Sequence, residues 1–265
     1  MRQSLRRRLL LVALITPPAL TALAVAGVEA WRIADSRSTL FATEPVLSLA
    51  DALEQHQLEA AYAFIRAGQN PDEPIPVRHP TITGGRTVLA APLVWAAAVE
   101  NREGALMLLG FGAAAREIPR AICVAEARGR MNVAATLRTL APEALPCVSL
   151  TADDDFLGAL FPGGRLQSPD GQFRLIYQDD GNLVLYDQRS GAVTWASNTD
   201  GTTAGRAALQ RDGRFVVYDA EGTPRWTSGS RAGSGAVLVL QDDGNVVVRG
   251  RDGALHSVGT APLPP

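Results

Sequence analysis

Gln178-Asp179-Asp180-Gly181-Asn182-Leu183-Val184-Leu185-Tyr186 returns twice further along the chain. The second copy is Gln210-Arg211-Asp212-Gly213-Arg214-Phe215-Val216-Val217-Tyr218, and the third is Gln241-Asp242-Asp243-Gly244-Asn245-Val246-Val247-Val248-Arg249. A period of about thirty residues marks a repeat architecture. Asp-Gly flanked by alternating apolar residues is a hairpin signal, so the chain reverses near Asp180-Gly181. Gln178 then ends one strand, Asp180 lies in the turn and Asn182 opens the next strand. Period two puts Asn182, Val184 and Tyr186 on one face and turns Leu183 and Leu185 to the core. The first face gathers a carboxylate, two amides and a phenol around one apolar residue. Asp and Asn are poor strand formers, so their recurrence asks for an explanation beyond propensity. Such groups donate and accept hydrogen bonds, as neighbouring sugar hydroxyls require. The alternative is a polar turn with a solvated strand face.

The pattern Gln-x-Asp-x-Asn-x-Val-x-Tyr is followed by Trp195-Ala196-Ser197-Asn198-Thr199 after copy one and Trp226-Thr227-Ser228 after copy two. Together these residues resemble the bulb-type (monocot mannose-binding) lectin family over 151–260. The resemblance implies an all-β, type II β-prism of three small antiparallel sheets about a pseudo-threefold axis, with a sugar site on each sheet. It implies that Gln, Asp, Asn and Tyr hydrogen-bond mannose hydroxyls while Val packs on the ring. Gln178, Asp180, Asn182, Val184 and Tyr186 carry over as one complete site. Copy three keeps Gln241, Asp243, Asn245 and Val247, has Arg249 in place of Tyr, and ranks second. Copy two keeps Gln210, Asp212, Val216 and Tyr218, but Arg214 replaces Asn and offers only donors. Copy two is therefore expected not to bind. His256 falls where the other copies have Trp195 and Trp226.

Ahead of the repeats the chain is of a different kind, so the whole reads as a multidomain α and β protein. Arg2, Arg6, Arg7 and Arg8 precede an uncharged run at 9–28, an export signal within 1–30. The run is long enough to anchor the chain in a membrane, with its basic end in the cytoplasm. Ala24-Val25-Ala26 offers a cleavage site, and Pro17-Pro18 would kink an anchor. The expectation is a bacterial protein, either anchored in the inner membrane and facing the periplasm or, after cleavage, periplasmic or secreted. A linker follows at 31–46.

From 47 to 145 the chain is rich in Ala and Leu at helical spacing. Glu59–Gly68, Glu103–Gly112 and Asn132–Leu137 align, and Ala91-Pro92-Leu93-Val94-Trp95-Ala96 precedes the second. This resembles ankyrin repeats, whose helix pairs open on T-P-L-H-x-A and end at a Gly. Stacked pairs would bury Ile65, Leu108, Leu109 and Leu137, with 69–88 as a Pro- and Gly-rich loop insertion. Such an array either binds a protein or serves as a spacer.

The net charge of −2 gives no basic footprint for nucleic acid. No cofactor, metal site or catalytic constellation is legible, so an enzyme is not expected. Cys123 and Cys147 are read either as a bridge or as two unpaired thiols. Asp153-Asp154-Asp155 reads as a solvated linker within a domain boundary at 142–156, and 261–265 as a frayed tail. Two functions remain open. One is an exported, mannose-type carbohydrate-binding protein with an ankyrin-like interaction domain. The other is a membrane-anchored interaction scaffold whose prism no longer binds sugar.

Overall fold

The computed structural model describes residues 46–229 and 231–258. The export segment expected at 1–30, nearly all of the linker and the tail at 261–265 lie outside them. Among the described residues no helix is long and apolar enough to cross a membrane.

Leu49–Glu54 opens the helical part, capped by Ser48, whose Oγ accepts from the Asp51 N–H at 3.2 Å and donates to the Asp51 carboxylate at 2.8 Å. This satisfies one of the amide hydrogens that the first turn leaves without partners. Leu58–Arg66, Pro92–Ala98, Arg102–Gly110, Ile118–Ala127 and Met131–Leu140 follow as helices. Asn101 joins two of them: its side chain accepts from Gly104 N–H at 2.7 Å and donates to the Leu53 carbonyl at 2.8 Å. Trp95 is fully buried and donates its Nε1 hydrogen to the Ala50 carbonyl at 3.0 Å. Ile65, Leu108 and Leu137 are buried as expected. Leu109 is only half-buried, because one step along a helix turns the side chain by roughly 100°.

The stretch expected as a loop insertion holds strand β1 (Ile75–Arg78), paired antiparallel with β2 (Thr87–Ala90). Ile75, Val77 and Ala90 point inward, an alternation that the surrounding Pro and Gly conceal in the sequence.

Twelve further strands run from β3 to β14: Ser149–Thr151, Ala159–Leu160, Arg165–Gln167, Phe173–Tyr177, Leu183–Asp187, Val193–Ala196, Ala204–Leu209, Phe215–Asp219, Pro224–Thr227, Val237–Leu240, Val246–Arg249 and Leu255–Ser257. They form three four-stranded sheets, ordered β5-β6-β7-β8, β4-β9-β10-β11 and β3-β12-β13-β14. Each repeated stretch is the central hairpin of one sheet: β6–β7, β9–β10 or β12–β13. Leu175, Leu183, Leu185, Phe215, Val217, Leu238 and Val248 meet in one core. Tyr177 crosses it, donating from its hydroxyl to the Tyr218 carbonyl at 3.0 Å and accepting from Gly205 N–H at 2.9 Å. Trp195 and Trp226 pack edge to face, 5.2 Å between centroids. His256 pairs with Val248 as Trp195 pairs with Leu185.

The segment 142–156 contains β3, so residues 149–151 belong with the sheets. The Asp run is not a solvated linker. Asp154 accepts from Phe156 and Leu157 N–H and pairs with Arg120 at 3.0 Å, while Asp155 pairs with Arg86. Asp153 lies 3.9 and 3.8 Å from Arg211 and Arg251. These cations come from the hairpin, a helix and two sheet turns, which linear spacing does not bring together.

Among the described residues, helices and sheets form one packed body between Leu47 and Val258. Glu126 is buried between Arg138 and Arg165, at 3.1 and 3.2 Å, and Ala127 joins the core of the sheets. Cys123 and Cys147 are free thiols, which corrects the bridge reading. They nevertheless touch. The Cys123 side chain, followed by burial, pushes the Cys147 thiol well above its ordinary range. Cys147 is thus held protonated, the unreactive form.

Candidate functional site

In copy one the backbone reverses between β6 and β7 through Gln178 N–H to Asn182 O at 2.8 Å and Gly181 N–H to Gln178 O at 3.2 Å. Gly181 has φ +87°, and a Cβ there would press into the Thr202 hydroxyl. A left-handed residue with no side chain is required at that position. Asp180 Oδ1 accepts from Asn182 N–H at 2.9 Å, which fixes the carboxylate against the turn.

The outward face carries the polar set. Gln178 Nε2 donates to Tyr186 Oη at 2.9 Å. Asn182 Oδ1 accepts twice, from Ser197 Oγ at 3.0 Å and Thr199 N–H at 3.2 Å. Both bonds fall on the oxygen, so the amide orientation is set and Nδ2 keeps two hydrogens to donate. Ser197 Oγ also accepts from the buried Leu183 N–H at 3.0 Å, and Thr199 Oγ1 donates to the Gly181 carbonyl at 2.7 Å. Donors at Asn182 Nδ2 and Tyr186 Oη–H therefore stand with acceptors at Asp180 Oδ2 and Gln178 Oε1. Ser197 and Thr199 position this set. The sequence held them within Trp195–Thr199 but gave no sign of that task.

Val184 departs from the simple alternation. It faces the polar set yet is buried, because Ile176 and Ala196 flank it on the neighbouring strands.

Copy two repeats the frame. Gln210 Nε2 donates to Tyr218 Oη, Val216 is buried, and Ser228 Oγ accepts from Phe215 N–H at 3.0 Å. Arg214, however, folds back on Asp212, its N–H meeting Oδ1 at 3.1 Å and its Nε meeting Oδ2 at 2.7 Å. Burial alone would raise the Asp212 carboxyl, but the Arg214 amide and guanidinium outweigh it and hold the group below the usual carboxylate range. Both oxygens are engaged. Arg206 also lies 5.3 Å from the Tyr218 ring centre.

Copy three keeps the turn, with Asp243 Oδ1 accepting from Asn245 N–H at 2.8 Å and Val247 buried. Ser257 Oγ donates to Asn245 Oδ1 at 3.2 Å, from one residue before the place Ser197 holds in copy one; that place is taken by buried Val258. Arg249 is exposed where the others have Tyr. The structure thus brings each predicted set to one sheet face, and the three sets lie on separate sheets.

No protein-family model matches the chain. Over 88 residues it is 34% identical to the B-type lectin plumieribetin of Scorpaena plumieri, spanning 32% of this chain and 75% of that one. The chain belongs to the B-type, or bulb-type, lectin family. Mannose-specific lectin 2 of Colocasia esculenta is 38% identical over 93 residues, 34% of each chain, so only about a third of that relative is spanned. Among solved structures, a monomeric mannose-binding lectin from Gastrodia elata shares 33% identity over 43% of this chain and 98% of its own, with TM-score 0.38. Snowdrop (Galanthus nivalis) agglutinin, complexed with methyl-α-D-mannoside, shares 36% over 40% of this chain and 91% of its own, with TM-score 0.34. In this B-type lectin the similarity lies in the C-terminal part.

Proposed function

We propose that the protein binds a mannose-like glycan through copy one. The observation that carries this reading is the Asn182 amide, pinned through Oδ1 by Ser197 and Thr199 so that Nδ2 is left to donate beside Asp180, Gln178 and Tyr186. Adjacent sugar hydroxyls each donate and accept, and this set offers two of each. Val184 supplies the apolar contact for the ring. Mannose-specific relatives support the choice of sugar. Copy three is the second site, through Gln241, Asp243, Asn245 and Val247. In copy two, with Gln210, Val216 and Tyr218 kept, the Arg214–Asp212 pair withdraws the carboxylate.

On this reading the three sheets, from β3 to β14, form a type II β-prism, and 47–145 is an ankyrin-like domain that engages a protein partner. Residues 1–30 export the chain, by an anchor at 9–28 or a cleaved signal, to the periplasmic side of the inner membrane or beyond. One shallow site binds weakly, so clustering on a membrane or in an oligomer supplies the avidity. The scaffold reading, with a structural prism, has its support in the Arg214–Asp212 pair and in Arg249.

The test is titration of the full chain with methyl-α-mannoside and a mannan, beside Asn182→Ala. Binding that disappears in the variant, with its melting temperature kept, supports the lectin reading. Absence of binding by the folded wild-type chain moves the function to the scaffold.

A further inference from the structure

Arg128 ends the helix Ile118–Ala127 and is only 6% exposed. Its guanidinium lies over the Phe161 ring, 4.6 Å from the centroid, and its Nε is buried without a hydrogen-bond partner. Among the described residues no carboxylate pairs with it, whereas buried Glu126 two residues earlier holds two arginines. A buried charge without a partner is costly, and a fold retains one where something else supplies the counter-charge. Burial first, then Arg130, brings this guanidinium down to about 10, with Asp154 acting against them.

Arg128 borders a cavity of about 750 Å³ between the β1–β2 hairpin and the sheets. That volume lies within the range of small-molecule sites, about 300–1,000 Å³. Ile82, Phe156 and Phe161 give it apolar wall, Thr81 gives a hydroxyl, and Arg206 stands at its sheet side. Three acids also line it, and all are engaged. Asp154 is held by Arg120, Asp155 by Arg86, and Asp219 by Arg225 at 2.7 Å. The unmatched charges facing the cavity are therefore positive: Arg128, and Arg206 on the Tyr218 ring. A guanidinium stacked on an aromatic face still presents its edge, which matches a planar carboxylate. A dianionic phosphate fits less well, because only one buried cation is left to balance its two charges. A lone inorganic ion would also leave most of the space unfilled.

We propose that this cleft is a second ligand site, distinct from the copy-one face, that takes a small organic carboxylate of sugar size with its carboxylate on Arg128. The full chain is titrated with glucuronate, with neutral glucose and with inorganic phosphate, by calorimetry and by thermal shift. Glucuronate is expected to bind and raise the melting temperature, and the other two are not. Arg128→Met should weaken glucuronate at least about tenfold while the unliganded variant melts at or above the wild type, because the unpaired charge is gone. Arg206→Gln, an exposed change, should weaken it several-fold. Methyl-α-mannoside binding should be unmoved by Arg128→Met, so this proposal and the copy-one reading fail separately. Equal binding of glucose or phosphate, no binding of glucuronate, or full binding by Arg128→Met overturns the proposal. Should Arg128→Met fail to fold, undiminished glucuronate binding by Arg206→Gln overturns it.

Discussion

Copies one and two make the same hairpin with different outward faces. In both, the Gln backbone N–H closes the turn on the carbonyl four residues on, at 2.8 Å in each, and a Ser hydroxyl receives the first amide hydrogen of the next strand at 3.0 Å. In both, Gln donates to Tyr across the face, and the Val between them is buried. They part at Asn182 and Arg214. The amide is oriented by its neighbours and keeps its donors, whereas the guanidinium closes on the carboxylate beside it. The hairpin is thus held by the turn, the Ser cap and the inward residues. The outward position can change from a pinned amide to an ion pair without disturbing them.

The comparison can be broken or sharpened in steps. If inward residues hold the frame, Phe215→Ala, at a fully buried position, should cost about 3–5 kcal/mol by denaturant unfolding. A loss under 1 kcal/mol would remove the argument. Ser197→Ala strips the buried Leu183 N–H of its acceptor and should cost about 1–3 kcal/mol, with mannoside binding reduced as Asn182 loses one of its two anchors. Asn182→Arg rebuilds copy two's face in copy one. It should weaken mannoside at least about tenfold, near 1.4 kcal/mol, and move unfolding by less than about 0.5 kcal/mol. A variant that still binds would mean the site lies elsewhere.

The smallest effect is one of pH. The Asp212 carboxyl is held below its ordinary 3.8, so its contribution to stability is present above that value and is lost as pH falls through the lowered one. Melting curves taken from pH 5 downward should show a slightly smaller acid loss in Arg214→Asn than in the wild type. Identical curves would mean that Arg214 does not hold Asp212 in solution.

Much of the sheet region was legible. Asp-Gly marked each turn, and alternation placed Leu183 and Leu185 in the core, where they lie. The site residues of each copy fall on one sheet face because period two dictates it. Strands β3 and β4 were not legible. They are three and two residues long, lie ahead of the first repeat, and find their partners only at β12 and β9. The partners of Asp153, Asp154 and Asp155 escaped for the same reason: local pattern does not encode contacts between distant segments. The burial of Val184 was not legible, because strand period says which face a residue points to, not what stands on either side of it. The positioning role of Ser197 and Thr199 needs the third dimension as well, since fifteen and seventeen residues separate them from Asn182.

The sheet of copy one differs from the others in being built from consecutive strands alone, β5 to β8. The other two borrow an edge from the segment before it, so Leu150 must wait for Leu238 and Leu160 for Ala207. At a synthesis rate of about 5–20 residues per second, Leu150 spends several seconds outside the ribosome before its partner exists. The sheet with the intact motif can close as soon as it emerges, the second follows, and the third is sealed last by joining the newest strands to the oldest one. The order of manufacture thus runs from the best-formed site to the end of the chain, and the helical part is finished before any of it begins.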